Sequence, residues 1–316
     1  MRLEGIWIPL VTPFRNDEVD FASYRELIDH YTTKAISGLI PLGTTGESPT
    51  VSEEEFESIL DKTMEYNEGR VPVYVGLGGN HTTKLVKQLK MAEKYRVQGI
   101  LSVSPYYNRP DQRGITEHFR RISEATDLNI VMYNIPYRTG RNMENATIHR
   151  LSECRNIVGI KDCSGNLDQT LQLLLNRPHE DFSILTGEDI LFYTTLVHGG
   201  DGGILASANL HTGLFVDIYR LVRANDHRAA LEKWKKLAAF IPLLFEEPNP
   251  TPIKYCLYKA GVLQSPEARL PLVEISDLLK QRLDAGLEAF HAQPAASPVA
   301  SPAAEEELPV YQPALS

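Results

Sequence analysis

Residues 156–162 read Asn156-Ile157-Val158-Gly159-Ile160-Lys161-Asp162. The apolar run has the pattern of a parallel strand covered on both faces, and the lysine near its end is out of place there. Lysines are seldom fully buried, because taking an ammonium out of water is costly. Where burial is enforced it lowers the amine's pKa, and the neutral amine attacks carbonyls. The position marks Lys161 as a candidate Schiff-base nucleophile at the end of a buried strand.

Short β-rich runs recur on both sides of this one. Strands are expected at Ile6–Leu10, Gly38–Pro41, Val73–Val75, Gly99–Val103, Asn129–Tyr133, Val158–Lys161, Ser183–Thr186 and Gly203–Leu205. Amphipathic stretches lie between them, at Phe21–Lys34, Ser52–Tyr66, Thr82–Tyr95 and Glu117–Thr126. Ser52 with Glu55 three residues on is a capping-box signature. About eight strand–helix units in roughly 210 residues predict a closed (β/α)8 barrel, an α/β TIM barrel. A doubly wound open sheet is the alternative, but it usually opens on a glycine-rich turn, and Ile8-Pro9-Leu10-Val11-Thr12-Pro13 has no glycine.

Beyond Leu205 the pattern is helical only: Leu214–Arg223, His227–Phe240, Thr251–Ala260 and Ile275–His291. This divides the chain into a barrel over 1–224, a C-terminal helical region over 225–292 and a tail over 293–316. The tail is rich in Ala, Pro, Ser and Glu. Pro294, Pro298, Pro302, Pro309 and Pro313 interrupt it, a composition that predicts disorder. No solenoid-type repeat is present.

The 316 residues are 42% hydrophobic and 23% charged, with a net charge of −9. An acidic chain without a basic block argues against a nucleic-acid or membrane-surface role. Cys154, Cys163 and Cys256 are scattered, odd in number and without a CxxC pair. Free thiols in a reducing compartment, and hence a cytoplasmic location, are expected, with neither disulfide framework nor zinc site. The segment from Met1 to Phe14 is interrupted by Pro9 and Pro13, so no signal peptide is expected, and no run approaches a membrane span.

In a barrel of this kind the working residues sit at the C-terminal ends of the strands and in the loops that follow. After Gly38–Pro41 comes Gly43-Thr44-Thr45-Gly46-Glu47-Ser48. Its hydroxyls and backbone N–H groups beside a helix start suit an anion, carboxylate or phosphate; an ordinary glycine turn with Ser/Thr caps accounts for it as well. Tyr133 ends one strand and Lys161 the next. Neighbouring strands lie about 4.8 Å apart, so the two can share one pocket. A phenol is a fitting proton shuttle for carbinolamine chemistry, although a core aromatic with a satisfied hydroxyl also fits. Arg138, in Tyr137-Arg138-Thr139-Gly140, offers a bidentate fork for a carboxylate, or a surface ion pair. Ser104-Pro105-Tyr106-Tyr107-Asn108 presents tyrosines to a site or to a subunit interface. Gly187-Glu188-Asp189 has the look of a metal corner, but acids enriched at a helix start explain it better. No metal is assigned.

Five stretches, in order, resemble the dihydrodipicolinate synthase / N-acetylneuraminate lyase family of class I aldolases, from about Gly5 to Leu287. They are Gly43-Thr44-Thr45-Gly46-Glu47, Tyr106-Tyr107-Asn108-Arg109-Pro110, Tyr133-Asn134-Ile135-Pro136, Gly159-Ile160-Lys161-Asp162 and Glu247-Pro248-Asn249-Pro250. The resemblance implies a (β/α)8 barrel with a C-terminal helical region, pyruvate chemistry through a lysine imine, no metal or other cofactor, and a homotetramer built as a dimer of tight dimers. Within the family the chain is most similar to the condensing synthases, because Arg138 matches their arginine for the carboxylate of aspartate semialdehyde. The implied roles follow. Lys161 forms the imine; Tyr133 relays protons through Thr44 and a Tyr107 from the neighbouring subunit; Thr45 holds the pyruvate carboxylate; Gly187 and Ile204 line the site by backbone. The implied product is 4-hydroxy-tetrahydrodipicolinate, an early step of lysine biosynthesis. The alternatives are a paralogous aldolase or dehydratase acting on a 2-keto-3-deoxy sugar acid or related 2-oxo acid, and a catalytically silent binding protein, which the intact residues disfavour. Cys163-Ser164 and the stretch from His198 to Gly203 depart somewhat from the usual synthase pattern.

Lysine-inhibited members of the family carry a histidine and a carboxylate in an interface pocket. Ser48, Asn80 and Tyr106 match that pocket here, but Phe56 and Lys84 stand in place of the histidine and the carboxylate. Weak or absent inhibition by lysine is therefore expected.

Overall fold

Eight short parallel strands account for the site's position, because each is apolar enough to be covered on both faces. The computed structural model describes residues 2–292, so the tail expected over 293–316 lies outside the described residues. The strands are β1 Gly5–Pro9, β2 Gly38–Ile40, β3 Tyr74–Gly76, β4 Gly99–Val103, β5 Asn129–Asn134, β6 Ile157–Asp162, β7 Ser183–Thr186 and β8 Gly202–Ile204. The hydrogen-bonded order is β2-β1-β8-β7-β6-β5-β4-β3. A parallel bridge between Leu39 and Val73 closes the ring between β2 and β3, with Leu39 N–H donating to the Pro72 carbonyl at 3.0 Å and Gly76 N–H to that of Pro41 at 2.9 Å. The barrel is complete, as the strand–helix alternation predicts.

Helices α1 Phe21–Thr32, α2 Glu53–Asn67, α3 Thr82–Ala92, α4 Gln112–Glu124, α5 Asn145–Ser152, α6 Leu167–Leu175, α7 Phe192–Val197 and α8 Thr212–Arg223 follow the strands. Their starts are chemically specified. Ser52 and Glu55 form the full capping box of α2, and the Asp20 and Asp111 side chains cap α1 and α4. Such a cap contributes about 1 kcal/mol. Helix α4 begins at Gln112, ahead of the expected Glu117, because Asp111 accepts from Gly114 N–H and carries the helix through that glycine. The stretch expected as one helix to Tyr95 tightens into a 3-10 turn over Glu93–Tyr95.

Two layers of core result. One lies between strands and helices and includes Ile8, Leu39, Ile100, Met132, Ile160, Phe182 and Phe215. The other fills the barrel with Trp7, Ile40, Tyr74, Leu101, Val131, Tyr133, Cys163, Leu185 and Ile204. Each fully buried Leu, Ile or Phe is worth about 1.5–3 kcal/mol relative to exposure.

The C-terminal region comprises α9 His227–Phe240, a 3-10 turn over Ile241–Phe245, α10 Thr251–Lys259 and α11 Asp277–Ala292. Trp234 of α9 packs on Phe192 and Tyr193 of α7. Every residue of α10 from Thr251 to Leu257 is buried. A helix covered all round belongs to an interior, and this one lies against the loop after β2.

Candidate active site

The strand register aligns the inward row. Val103 pairs with Tyr133, Tyr133 with Lys161, and Lys161 with Leu185. Lys161 is 7% exposed, and its Nζ lies 4.3 Å from the centroid of the Tyr133 ring. The backbone around it is shaped for the long side chain. A Cβ on Gly187 would stand 2.1 Å from Lys161 Cε and 2.4 Å from Cys163 Sγ, so glycine leaves the space that the lysine occupies. Gly187 N–H donates to the Asp162 carbonyl at 2.8 Å. Ile204 ends β8 on the inner face, 1% exposed.

Burial pushes the Tyr133 phenol well above its ordinary value, with the Cys163 thiol beside its hydroxyl adding to the rise and Arg138 opposing it. Tyr133 thus keeps its proton across the neutral range and is built to donate and retrieve it. Burial also raises the Cys163 thiol, the Lys161 charge opposing, so it is a neutral thiol, not a thiolate nucleophile.

The loop after β2 closes on itself. Gly46 N–H donates to the Gly43 carbonyl and Glu47 N–H to that of Thr44, at 3.0 and 3.1 Å. Glu47 takes a left-handed backbone with φ 53°. The amides of Thr44 and Thr45 make no hydrogen bond among the described residues, the exposed donors an anion needs. Thr45 is 4% exposed, and its Oγ1 accepts from Asn249 Nδ2 at 3.1 Å. Glu47 and Lys254 form an ion pair with both side chains wholly buried. The Glu47 carboxylate also accepts from Arg269 N–H at 3.0 Å, and Lys254 donates to the Glu267 carbonyl at 2.7 Å.

Arg138 stands on a single helical turn, Pro136–Thr139, after β5. Asn134 pins that loop: its amide donates to Asn142 Oδ1 at 2.9 Å and its Oδ1 accepts from Met143 N–H at 3.0 Å. Arg109 Nε donates to the Gly140 carbonyl at 2.8 Å, tying in the loop after β4. Arg138 is exposed at the barrel mouth beside Tyr137.

Lys161, Tyr133, Gly187 and Ile204 therefore meet at the inner face. Thr44, Thr45 and Arg138 sit in the loops above it. Tyr107 is not brought to Lys161 within one chain; it is 89% exposed, at φ 70°. Of the acids after β7, Asp189 spends its carboxylate on Ser207, accepting from its N–H at 2.7 Å. Glu188, half-buried, is pushed up to about 7 by burial and by Asp189, with Lys161 opposing. Among the described residues no group of three or more His, Cys, Asp or Glu converges on a point, and no helix is long and apolar enough to cross a membrane. The sequence places Asn249 only within a family-like stretch and Glu188 only as an acid at a helix start, with no site role for either; a contact across 204 residues, such as that from Asn249 to Thr45, leaves no local signal.

A model of the Dihydrodipicolinate synthetase family matches residues 2–290. The chain is 61% identical over 284 residues to 4-hydroxy-tetrahydrodipicolinate synthase 2 of Clostridium acetobutylicum, covering 90% of this chain and 99% of that one. It is 40% identical over 278 residues to the 4-hydroxy-tetrahydrodipicolinate synthase of Porphyromonas gingivalis, covering 87% and 93%. The crystal structure of dihydrodipicolinate synthase from Thermotoga maritima superposes with a TM-score of 0.90 at 37% identity, over 92% of this chain and 99% of that one.

Proposed function

The chain belongs to the dihydrodipicolinate synthetase family, and from that premise we propose that it condenses pyruvate with L-aspartate 4-semialdehyde to 4-hydroxy-tetrahydrodipicolinate, a lyase of lysine biosynthesis by the diaminopimelate route. The observation that carries the reading is Lys161 held at the barrel's inner face against the Tyr133 ring. The Lys161 amine adds to the C2 carbonyl of pyruvate, and loss of water yields the imine. Loss of a C3 proton gives the enamine, whose C3 attacks the aldehyde carbon. The acceptor's amine then attacks C2, closes the ring and releases Lys161, so the only molecule expelled is the water of imine formation.

Tyr133, protonated at neutral pH, supplies and retrieves protons at the carbinolamine. Thr44 continues the relay toward a Tyr107 from a second copy; an aromatic this exposed in one chain suits an interface. Thr45, by hydroxyl and free amide, receives the pyruvate carboxylate. Arg138 receives the acceptor's carboxylate, and its planar fork suits that group; this favours the semialdehyde over a 2-keto-3-deoxy sugar acid. Gly187 and Ile204 line the site by backbone. The working assembly is a homotetramer built as a dimer of dimers, in the cytoplasm.

Borohydride with pyruvate tests the first half: a reduced adduct at Lys161 is expected, and no gain in mass defeats the imine. A panel of aspartate semialdehyde against keto-deoxy sugar acids tests the second. Turnover of the sugar acids alone would replace this acceptor with the paralogue's.

A further inference from the structure

The residues between α9 and α10 reach back across the barrel into the loop that carries Thr45. We infer that Asn249 is a positioning residue for pyruvate: its amide fills the acceptor side of the Thr45 hydroxyl and so directs that hydroxyl's single proton at the substrate carboxylate. The inference rests on the reading of Thr45 given above.

A threonine hydroxyl has one proton and two lone-pair directions. Asn249 Nδ2 donates to Thr45 Oγ1 at 3.1 Å, with both residues buried, at 9% and 4% exposure. An amide nitrogen has no lone pair to accept with, so the proton of Thr45 has to point elsewhere. No other bond of that hydroxyl occurs among the described residues. Several threonine hydroxyls in this chain turn to a carbonyl three or four residues back, as Thr50 does to Glu47, Thr63 to Ile59 and Thr212 to Ala208. That local habit competes with outward donation. Asn249 opposes it at Thr45 by occupying a lone pair from the far side of the loop. Asn249 Oδ1 is buried with no partner among the described residues, a costly arrangement, so the one side-chain bond Asn249 makes among them is its donation to Thr45.

The same segment clamps the loop a second time. Lys254, on α10, pairs with Glu47, two residues beyond Thr45, and Arg269 N–H donates to the other carboxylate oxygen. Thr45 is thereby fixed in place by its chain neighbour and in proton direction by Asn249. The C-terminal region is part of the pyruvate site without touching pyruvate.

The test is a KM split with a double-mutant cycle. Asn249→Ala should raise the KM for pyruvate about tenfold, the size of a lost charge-assisted hydrogen bond, and leave the KM for aspartate semialdehyde within about twofold. In a Thr45→Val background the same change should have little further effect on the pyruvate KM, because the hydroxyl it acts through is gone. Asn249→Asp keeps the side chain's shape and turns its donor into an acceptor, so it carries the same comparison if the alanine variant does not fold. Its rise in pyruvate KM should be at least as large as that of alanine and should shrink when Thr45→Val is added. Equal rises with and without the Thr45 hydroxyl, or rises in both KM values together, would overturn the inference. The borohydride adduct on the unmutated chain separates the two readings: its absence removes the pyruvate site altogether, whereas an adduct with an unchanged pyruvate KM in Asn249→Ala overturns only the role of Asn249.

Discussion

Tyr133 and Lys161 are register partners on adjacent strands, with Lys161 Nζ 4.3 Å from the centre of the phenol ring. The ring is a wall of the lysine's cavity and its hydroxyl a proton source, and these roles separate on substitution. Tyr133→Phe keeps the wall and removes the proton. It should still yield a reduced pyruvate adduct under borohydride, while kcat falls by about 10²- to 10⁴-fold, the range for a lost general acid–base. Lys161→Met should show neither adduct nor turnover. Mass spectrometry and steady-state rates on the two variants decide the division.

The ion pair between Lys254 and Glu47 is wholly buried, and burial drives the Lys254 amine's pKa down against the opposing pull of Glu47. Removing one partner of such a pair strands the other charge, at a cost of about 3–5 kcal/mol, whereas an apolar replacement of both is often tolerated. Lys254→Met should lower the urea midpoint accordingly, and Lys254→Met with Glu47→Leu should recover most of the loss. A double variant as unstable as the single one would show that the pair holds the loop by more than charge balance.

The barrel was readable because buried parallel strands are continuous apolar runs. Gly99–Val103 and Ser183–Thr186 keep their expected bounds, and the others shift by one residue at one or both ends. Lys161 was readable for the same reason, as the polar exception in such a run. Helices α5, α6 and α7 were not. They have eight, nine and six residues, too short for a 3.6-residue period to stand out. The Asn249 to Thr45 bond and the Lys254–Glu47 pair join residues more than 200 apart, and no pattern along the chain encodes them. Tyr107 is a separate case, since one chain leaves its ring in solvent.

Glu188 sits at the mouth with its pKa pushed up to about 7 from an ordinary 4.5, by burial first and Asp189 second, against the pull of Lys161. An acid whose pKa is higher folded than unfolded favours the fold fully below the unfolded value. That contribution fades as pH rises through the folded value. Its window here is pH 4.5 to 7. Glu188→Gln removes the ionisation, so the variant's melting temperature relative to the parent should be higher at pH 8 than at pH 5, without substrate. A difference independent of pH would place the Glu188 carboxyl in open solvent.

Ser48, Phe56, Asn80, Lys84 and Tyr106 line one cavity of about 290 Å³ between α2 and α3. Its charged lining residues include Lys84 and Glu53. Glu53 lies in the first turn of α2, where the free amides and the helix dipole already favour its charge. Phe56 offers an ammonium a ring face but no carboxylate, and Lys84 repels it. L-lysine at 1 mM should therefore change the steady-state rate by less than about twofold; like and opposite charges at such sites differ by about 1–2 kcal/mol, roughly tenfold in affinity. Lys84→Glu exchanges the repulsion for a partner and should strengthen lysine's effect by about that factor. Inhibition of the parent below 1 mM, or no gain in the variant, would mean that Lys84 does not face the ligand.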